Sequence, residues 1–111
     1  MFEVRRRLLS AALILSTGLI AAGIAQAELS PIRTGELLIL VRHDCGSCHG
    51  LTLKGGLGPP LLPETLNGRD EEGIAEVILS GVPGTPMPPW KSELTRGEAL
   101  WIAKQLIEGL P

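Results

Sequence analysis

The sequence predicts an all-α domain of three to four short helices, and three observations lead there. Helix-start signals recur along the chain. They are Ser30-Pro31, Asp70 ahead of Glu71-Glu72, and the capping box Thr95-x-x-Glu98. The apolar residues behind these signals fall at helical rather than alternating spacing. The segments between them are rich in Gly and Pro and read as loops. No internal repeat and no second domain is apparent.

The chain has 111 residues, enough for one domain. Residues 1–27 have the layout of a cleaved secretory signal peptide. Arg5, Arg6 and Arg7 form the basic start, residues 8–25 an apolar run, and Ala25-Gln26-Ala27 an Ala-x-Ala cleavage signature. An uncleaved membrane anchor is the competing reading, because the run is about long enough to span a bilayer. Gly18, Gly23 and the Ala-x-Ala ending favour cleavage. The functional domain is then residues 28–111, exported to the periplasm, with no stable membrane insertion after cleavage. It has seven basic and eleven acidic residues, a formal net charge of −4. No basic patch or aromatic ladder suits nucleic acid, so that class of partner is excluded. A domain of 84 residues buries little core of its own and often needs a staple. Trp90 and Trp101 are its only aromatic residues.

In chain order, Ser30 caps and Pro31 opens a first helix over 32–43. Its run Leu37-Leu38-Ile39-Leu40-Val41 would also fit a buried strand. The start signal, the length and the continuity into the next turn favour helix. Gly35 costs stability there unless another helix crosses closely over it. Residues 50–61 must be loop, and Asn67-Gly68 marks a turn. Asp70 caps a helix over 71–79 whose apolar stripe is Ile74, Val77 and Ile78, and Gly81 ends it. Gly84-Thr85-Pro86-Met87-Pro88-Pro89-Trp90 is stiff and extended, without helix or ladder hydrogen bonding. The capping box then opens a last helix, 95–108, carrying Leu100, Trp101, Ile102, Leu106 and Ile107.

The chemistry is concentrated in Cys45-Gly46-Ser47-Cys48-His49. On a helical turn, positions i, i+3 and i+4 share a face, so two thiols and an imidazole stand together. Two thiols at this spacing can form thioethers with the vinyl groups of one haem, and the adjacent imidazole can reach its iron. Three other readings compete. One is a plain disulfide, which an oxidising compartment permits. Another is a thioredoxin-like redox pair, which needs a preceding strand that is missing here. The last is a zinc site on His43, Cys45, Cys48 and His49, which crowds four ligands into seven residues.

With His49 on one axial position, few residues remain for the other. Met87 is the only methionine after signal cleavage. His43 shares a helix with the Cys pair and cannot easily cross to the opposite haem face. Lys54, Lys91 and Lys104 carry charges better left in water. A methionine is usually a filler of the core, but a soft thioether in a proline-stiffened loop suits a haem iron. His49/Met87 ligation leaves no open coordination site and favours the ferrous state. That describes an electron carrier and not an enzyme.

The whole pattern resembles a small class I cytochrome c. The marks agree in order: Gly35; Cys45 to His49; Gly58-Pro59-Pro60-Leu61; Gly81, Gly84 and Met87-Pro88-Pro89; and the C-terminal helix. The resemblance implies three to four helices packed around one covalently bound haem c. It implies that Cys45 and Cys48 hold the haem and that His49 and Met87 ligate its iron. It also implies that the Pro59 carbonyl takes a hydrogen bond from His49, and that Gly35 lets the first helix cross the last beside Trp101. The short span from His49 to Met87 suggests a compact bacterial subtype. Because the chain lacks Tyr, propionate hydrogen bonds fall to groups such as Trp90. The wording of residues 42–61 and 84–90 is similar to the cytochrome c-55X family of denitrification gene clusters. This implies a monomeric periplasmic carrier whose redox partners include the haem-containing nitrite reductase. The alternative it leaves is a role in maturing d-type haem, with transient loss of Met87. A weak, transient partner would meet the haem edge at Gly46, Ser47, Leu51, Pro88 and Pro89.

Overall fold

The computed structural model describes residues 28–111, so the signal-peptide segment 1–27 lies outside the described residues. Helix α1 (Pro31–Leu40) runs without a break into a π-helical turn (Val41–Cys45) and then α2 (Gly46–His49). Three further helices follow: α3 (Pro63–Leu66), α4 (Glu71–Ser80) and α5 (Arg96–Glu108). The described residues contain no strand. The all-α expectation therefore stands, and the Leu37–Val41 run is helical, not extended.

Each helix start forms as its side chains dictate. Ser30 Oγ accepts the Arg33 N–H at 3.2 Å, with Pro31 in the first turn. Asp70 Oδ1 accepts the Gly73 N–H at 2.7 Å. Thr95 Oγ1 accepts the Glu98 N–H at 3.2 Å, while Glu98 returns a carboxylate oxygen to the Thr95 N–H at 2.8 Å. Such caps satisfy N–H groups that the first helical turn leaves without partners. A cap of this kind is worth about 1 kcal/mol.

The core joins α1, α4 and α5. Leu37, Val41 and Ile102 are its largest fully buried side chains, and Ala75, Ala99, Ala103 and Leu106 fill the space between the helices. Fully burying one aliphatic side chain of this size stabilises by about 1.5–3 kcal/mol. The alanines matter because a small side chain lets helix axes approach. Glu98, only 8% exposed, fastens the ends of α1 and α5. Its second carboxylate oxygen accepts Arg33 Nε–H at 2.6 Å. The Arg33 hydrogen bond, and then that of the Thr95 backbone, hold the Glu98 carboxyl below its usual range.

One expectation is corrected. A Cβ built at Gly35 meets nothing within 4 Å, so no helix crosses closely over it. The buried contact lies instead at Leu37 and Val41, further along the chain. The segment 84–90 has neither helix nor strand, as expected, and is stiffened by more than its prolines. Trp90 N–H donates to Ile78 O at 3.0 Å and Lys91 N–H to Leu79 O at 3.2 Å. The loop thus caps the carbonyl end of α4, which would otherwise lack partners.

Candidate functional site

A cavity of about 890 Å³ opens between α2, α4, α5 and the loops that follow α2 and α4. That is near the upper end of the usual range for cofactor sites, roughly 300–1,000 Å³. Its walls are mainly apolar, with Leu66, Ile74, Ile78, Leu94, Ile102 and Leu106 among them. Cys45, Cys48, His49, Pro59 and Met87, the five residues singled out from the sequence, all line it.

The thiols stand on one face because of the helix that carries them. At the π-helical turn the Gly46 N–H reaches back five residues to Val41 O. The extra residue in that turn offsets the face carrying Leu37 and Val41 from the face carrying the cysteines. No disulfide joins Cys45 and Cys48. Burial, followed by the neighbouring Asp44 carboxylate, pushes the Cys45 thiol up to about 11. A thioredoxin-like pair needs a strand before it, and the described residues contain none. Among the described residues no cluster of three or more His, Cys, Asp or Glu could hold a metal ion, which removes the zinc reading.

His49 is fixed from two sides. Its Nδ1 lies 2.7 Å from Pro59 O. A carbonyl can only accept, so Nδ1 carries the proton, and Nε2 is the ring nitrogen left for a ligand. Gly58 forms a wall against the ring. A Cβ there would stand 2.7 Å from both Nδ1 and Cε1 of His49. Only glycine leaves room for the imidazole at this point.

Met87 sits in a loop tied to itself and to the end of α4. Its carbonyl accepts the Val82 N–H at 3.1 Å, and its N–H donates to Thr85 Oγ1 at 3.3 Å. Thr85 Oγ1 in turn donates to Val82 O at 2.7 Å. Gly81 makes the junction possible. Its φ is +67°, and a Cβ would fall 2.7 Å from Met87 O.

The other donors considered from the sequence stay away. His43, Lys54, Lys91 and Lys104 are exposed, and none lines the cavity. Trp90 does line it. So does Arg69, which sequence reasoning left unassigned because nothing in its local pattern sets it apart from a surface arginine. Of the guessed edge residues, Ser47, Leu51, Pro88 and Pro89 are exposed, but Gly46 is buried beneath the turn and drops out as a contact.

Comparison with known proteins shows the family. A family model described as cytochrome c oxidase, cbb3-type, subunit III matches residues 32–104. The cytochrome c55X of Paracoccus denitrificans is 49% identical over 96 residues, 86% of this chain and 89% of that protein. The cytochrome c55X of Pseudomonas aeruginosa is 45% identical over 108 residues, 94% of this chain and 91% of that one. The chain belongs to the class I c-type cytochromes. Among solved structures, this cytochrome is similar to the c-type cytochrome NirC, with a TM-score of 0.72 and 48% identity. That match covers 74% of this chain and 96% of NirC. It is also similar to part of the dihydro-heme d1 dehydrogenase NirN in complex with DHE, with a TM-score of 0.60 and 36% identity. There it covers 67% of this cytochrome but only 16% of the longer chain.

The family carries covalently bound haem c, and the cavity fits such a group. It pairs apolar walls with two adjacent thiols, an imidazole of fixed tautomer and a soft thioether. Among the described residues no helix is long and apolar enough to cross a membrane.

Proposed function

We propose that this cytochrome is a periplasmic one-electron carrier with one haem c, held by Cys45 and Cys48 and ligated by His49 and Met87. The convergence of His49 and Met87, from two separately anchored elements, on one apolar cavity carries this reading. The haem supplies a one-electron iron couple when bound. The protein's own residues make that couple usable. The Pro59 carbonyl holds the His49 ring in one orientation and strengthens it as a ligand. The tethered Met87 loop holds a thioether at the cavity, and His/Met ligation would raise the potential. Ile74, Ile78, Ile102 and Leu106 exclude water from the cavity floor. With His49 and Met87 both holding the iron, the group would supply electron exchange and leave no place for a substrate.

Residues 1–27 serve as the export signal and 28–111 as the cytochrome domain, which acts as a monomer. Its proposed partner is the haem-containing nitrite reductase, supported by likeness to cytochrome c55X and NirC. A second reading has one specific observation in its favour. A dihydro-heme d1 dehydrogenase of Pseudomonas aeruginosa is 37% identical over 97 residues, 87% of this chain but 19% of that protein. On that reading the cytochrome works in maturing d-type haem, with Met87 detaching for a time. The bonds that tie the Met87 loop to Val82 and Thr85 oppose detachment.

The test is spectroscopic and kinetic. The holoprotein should retain its haem on denaturation, show a methionine–iron absorption band when oxidised, and bind carbon monoxide slowly or not at all when reduced. Stopped-flow mixing should show simple electron exchange with nitrite reductase. Fast carbon monoxide binding, or turnover of a d-type haem precursor without such exchange, would replace the carrier by the maturation role.

A further inference from the structure

Leu53 is the one non-glycine residue with positive φ among the described residues, at +59°. Every other positive φ there belongs to a glycine. An L side chain enters this left-handed region only at a cost in backbone energy. Glycine would remove that cost, yet the chain has leucine, and its side chain is 5% exposed within the core cluster. The strain is thus retained together with a buried anchor, which asks what the pair holds in place.

The backbone bonds of Leu53 answer this. Its N–H donates to Gly50 O at 2.8 Å, closing the turn just after His49. Its carbonyl accepts the Leu61 N–H at 2.9 Å, closing the loop that contains Pro59. Pro59 and Pro60 have no N–H. Two backbone donors therefore flank the Pro59 carbonyl. Gly58 N–H bonds Cys48 O at 2.9 Å, and Leu61 N–H bonds Leu53 O. The Thr65 hydroxyl shares its one proton between Leu62 O at 2.8 Å and Pro60 O at 3.1 Å. The direction of the Leu53 carbonyl follows from its left-handed backbone, and its position from the buried side chain. A separate cavity of about 320 Å³ adjoins Leu53, Leu61 and Leu62. The loop has room to shift there once its anchor is lost.

We propose that Leu53 is a positioning residue for the haem-ligating imidazole. Its strained backbone and buried side chain together hold the Pro59 carbonyl on the Nδ1–H of His49. The inference rests on His49 being an axial ligand and adds the residue that sets its hydrogen bond.

The experiment compares Leu53→Met and Leu53→Ile in the haem-loaded protein. Met is unbranched and tolerates the left-handed region as Leu does. Ile has the volume of Leu, but its β-branch resists that region. The readouts are the exchange rate of the His49 Nδ1 proton by NMR in the reduced protein and the reduction potential. Leu53→Met should match the wild type. Leu53→Ile should exchange that proton at least tenfold faster than a Leu37→Ala control of equal thermal stability. Its potential should rise, because a weaker hydrogen bond leaves His49 a poorer donor to iron. If Leu53→Ile fails to accumulate, Leu53→Gly carries the test, since it keeps the backbone and loses the anchor. Proton exchange no faster than in the control, with unchanged potential, overturns the role of Leu53. A wild-type protein without covalent haem, or without a His49 signal shifted by iron ligation, overturns the proposed function instead.

Discussion

Replacing Gly81 by Ala should loosen the Met87 loop, and the cost can be worked from geometry. Gly81 has φ +67° and ψ −173°, a region essentially reserved for glycine. Forcing an alanine into it costs about 1–3 kcal/mol. The new Cβ would also lie 2.7 Å from Met87 O, 2.7 Å from the Pro88 carbonyl carbon and 2.8 Å from Pro89 N. These are backbone atoms that cannot rotate away, so the loop must move. Overpacking of this kind costs about 1–3 kcal/mol more. The sum, roughly 2–6 kcal/mol, is a large share of a small domain's stability. Gly84 is the internal control. It too has positive φ, +79°, but a Cβ there meets nothing within 4 Å. Gly84→Ala should cost only the backbone penalty, about 1–2 kcal/mol. Guanidinium unfolding of the holoprotein measures both. With a slope of about 3 kcal/mol per molar, Gly81→Ala should lower the midpoint by roughly 0.7–2 M. It should also weaken the methionine–iron band, which Gly84→Ala leaves intact. Equal effects of the two variants, or an unchanged band in Gly81→Ala, would refute the reasoning.

Three further outcomes follow from the same structure. Gly35→Ala should raise stability by about 0.5–1 kcal/mol, because its Cβ enters open space on a helix; a destabilised variant in thermal unfolding would restore the close crossing expected from the sequence. Glu98 has its carboxyl held below the unfolded value by Arg33, so its contribution is complete above the ordinary carboxylate range and is lost as pH falls through its folded pKa. Glu98→Gln keeps an N3 capping group but removes that dependence, and its acid unfolding curve should be flatter on the low-pH side than the wild type's. Met87→Ala should open the iron, giving fast carbon monoxide binding and a lower potential, with the covalent haem retained; an unchanged carbon monoxide rate would move the second ligand elsewhere.

Local chemistry made much of the molecule legible. A cap works through atoms within one turn, so Ser30, Asp70 and Thr95-x-x-Glu98 marked the starts of α1, α4 and α5. The thiols and imidazole of residues 45–49 are likewise neighbours on one helical turn, and their chemistry could be read from spacing alone. The short helix α3 was harder, because four residues between prolines and a turn show no period. The π-helical turn at Val41–Cys45 was invisible for a related reason. It is set by how α1 must pack and present the cysteines at once.

Sequence alone determined an all-α chain, a paired-thiol and imidazole motif, and a single methionine in a stiff loop. Tertiary structure decided what those parts do to one another. It put Leu37 and Val41, not Gly35, in the buried contact of α1. It buried Glu98 against Arg33, 65 residues away. It showed that Gly58 and Gly81 are glycines because His49 and Met87 O stand where a Cβ would go. Contacts between distant residues depend on how whole elements stack, and no local pattern encodes the room left between them.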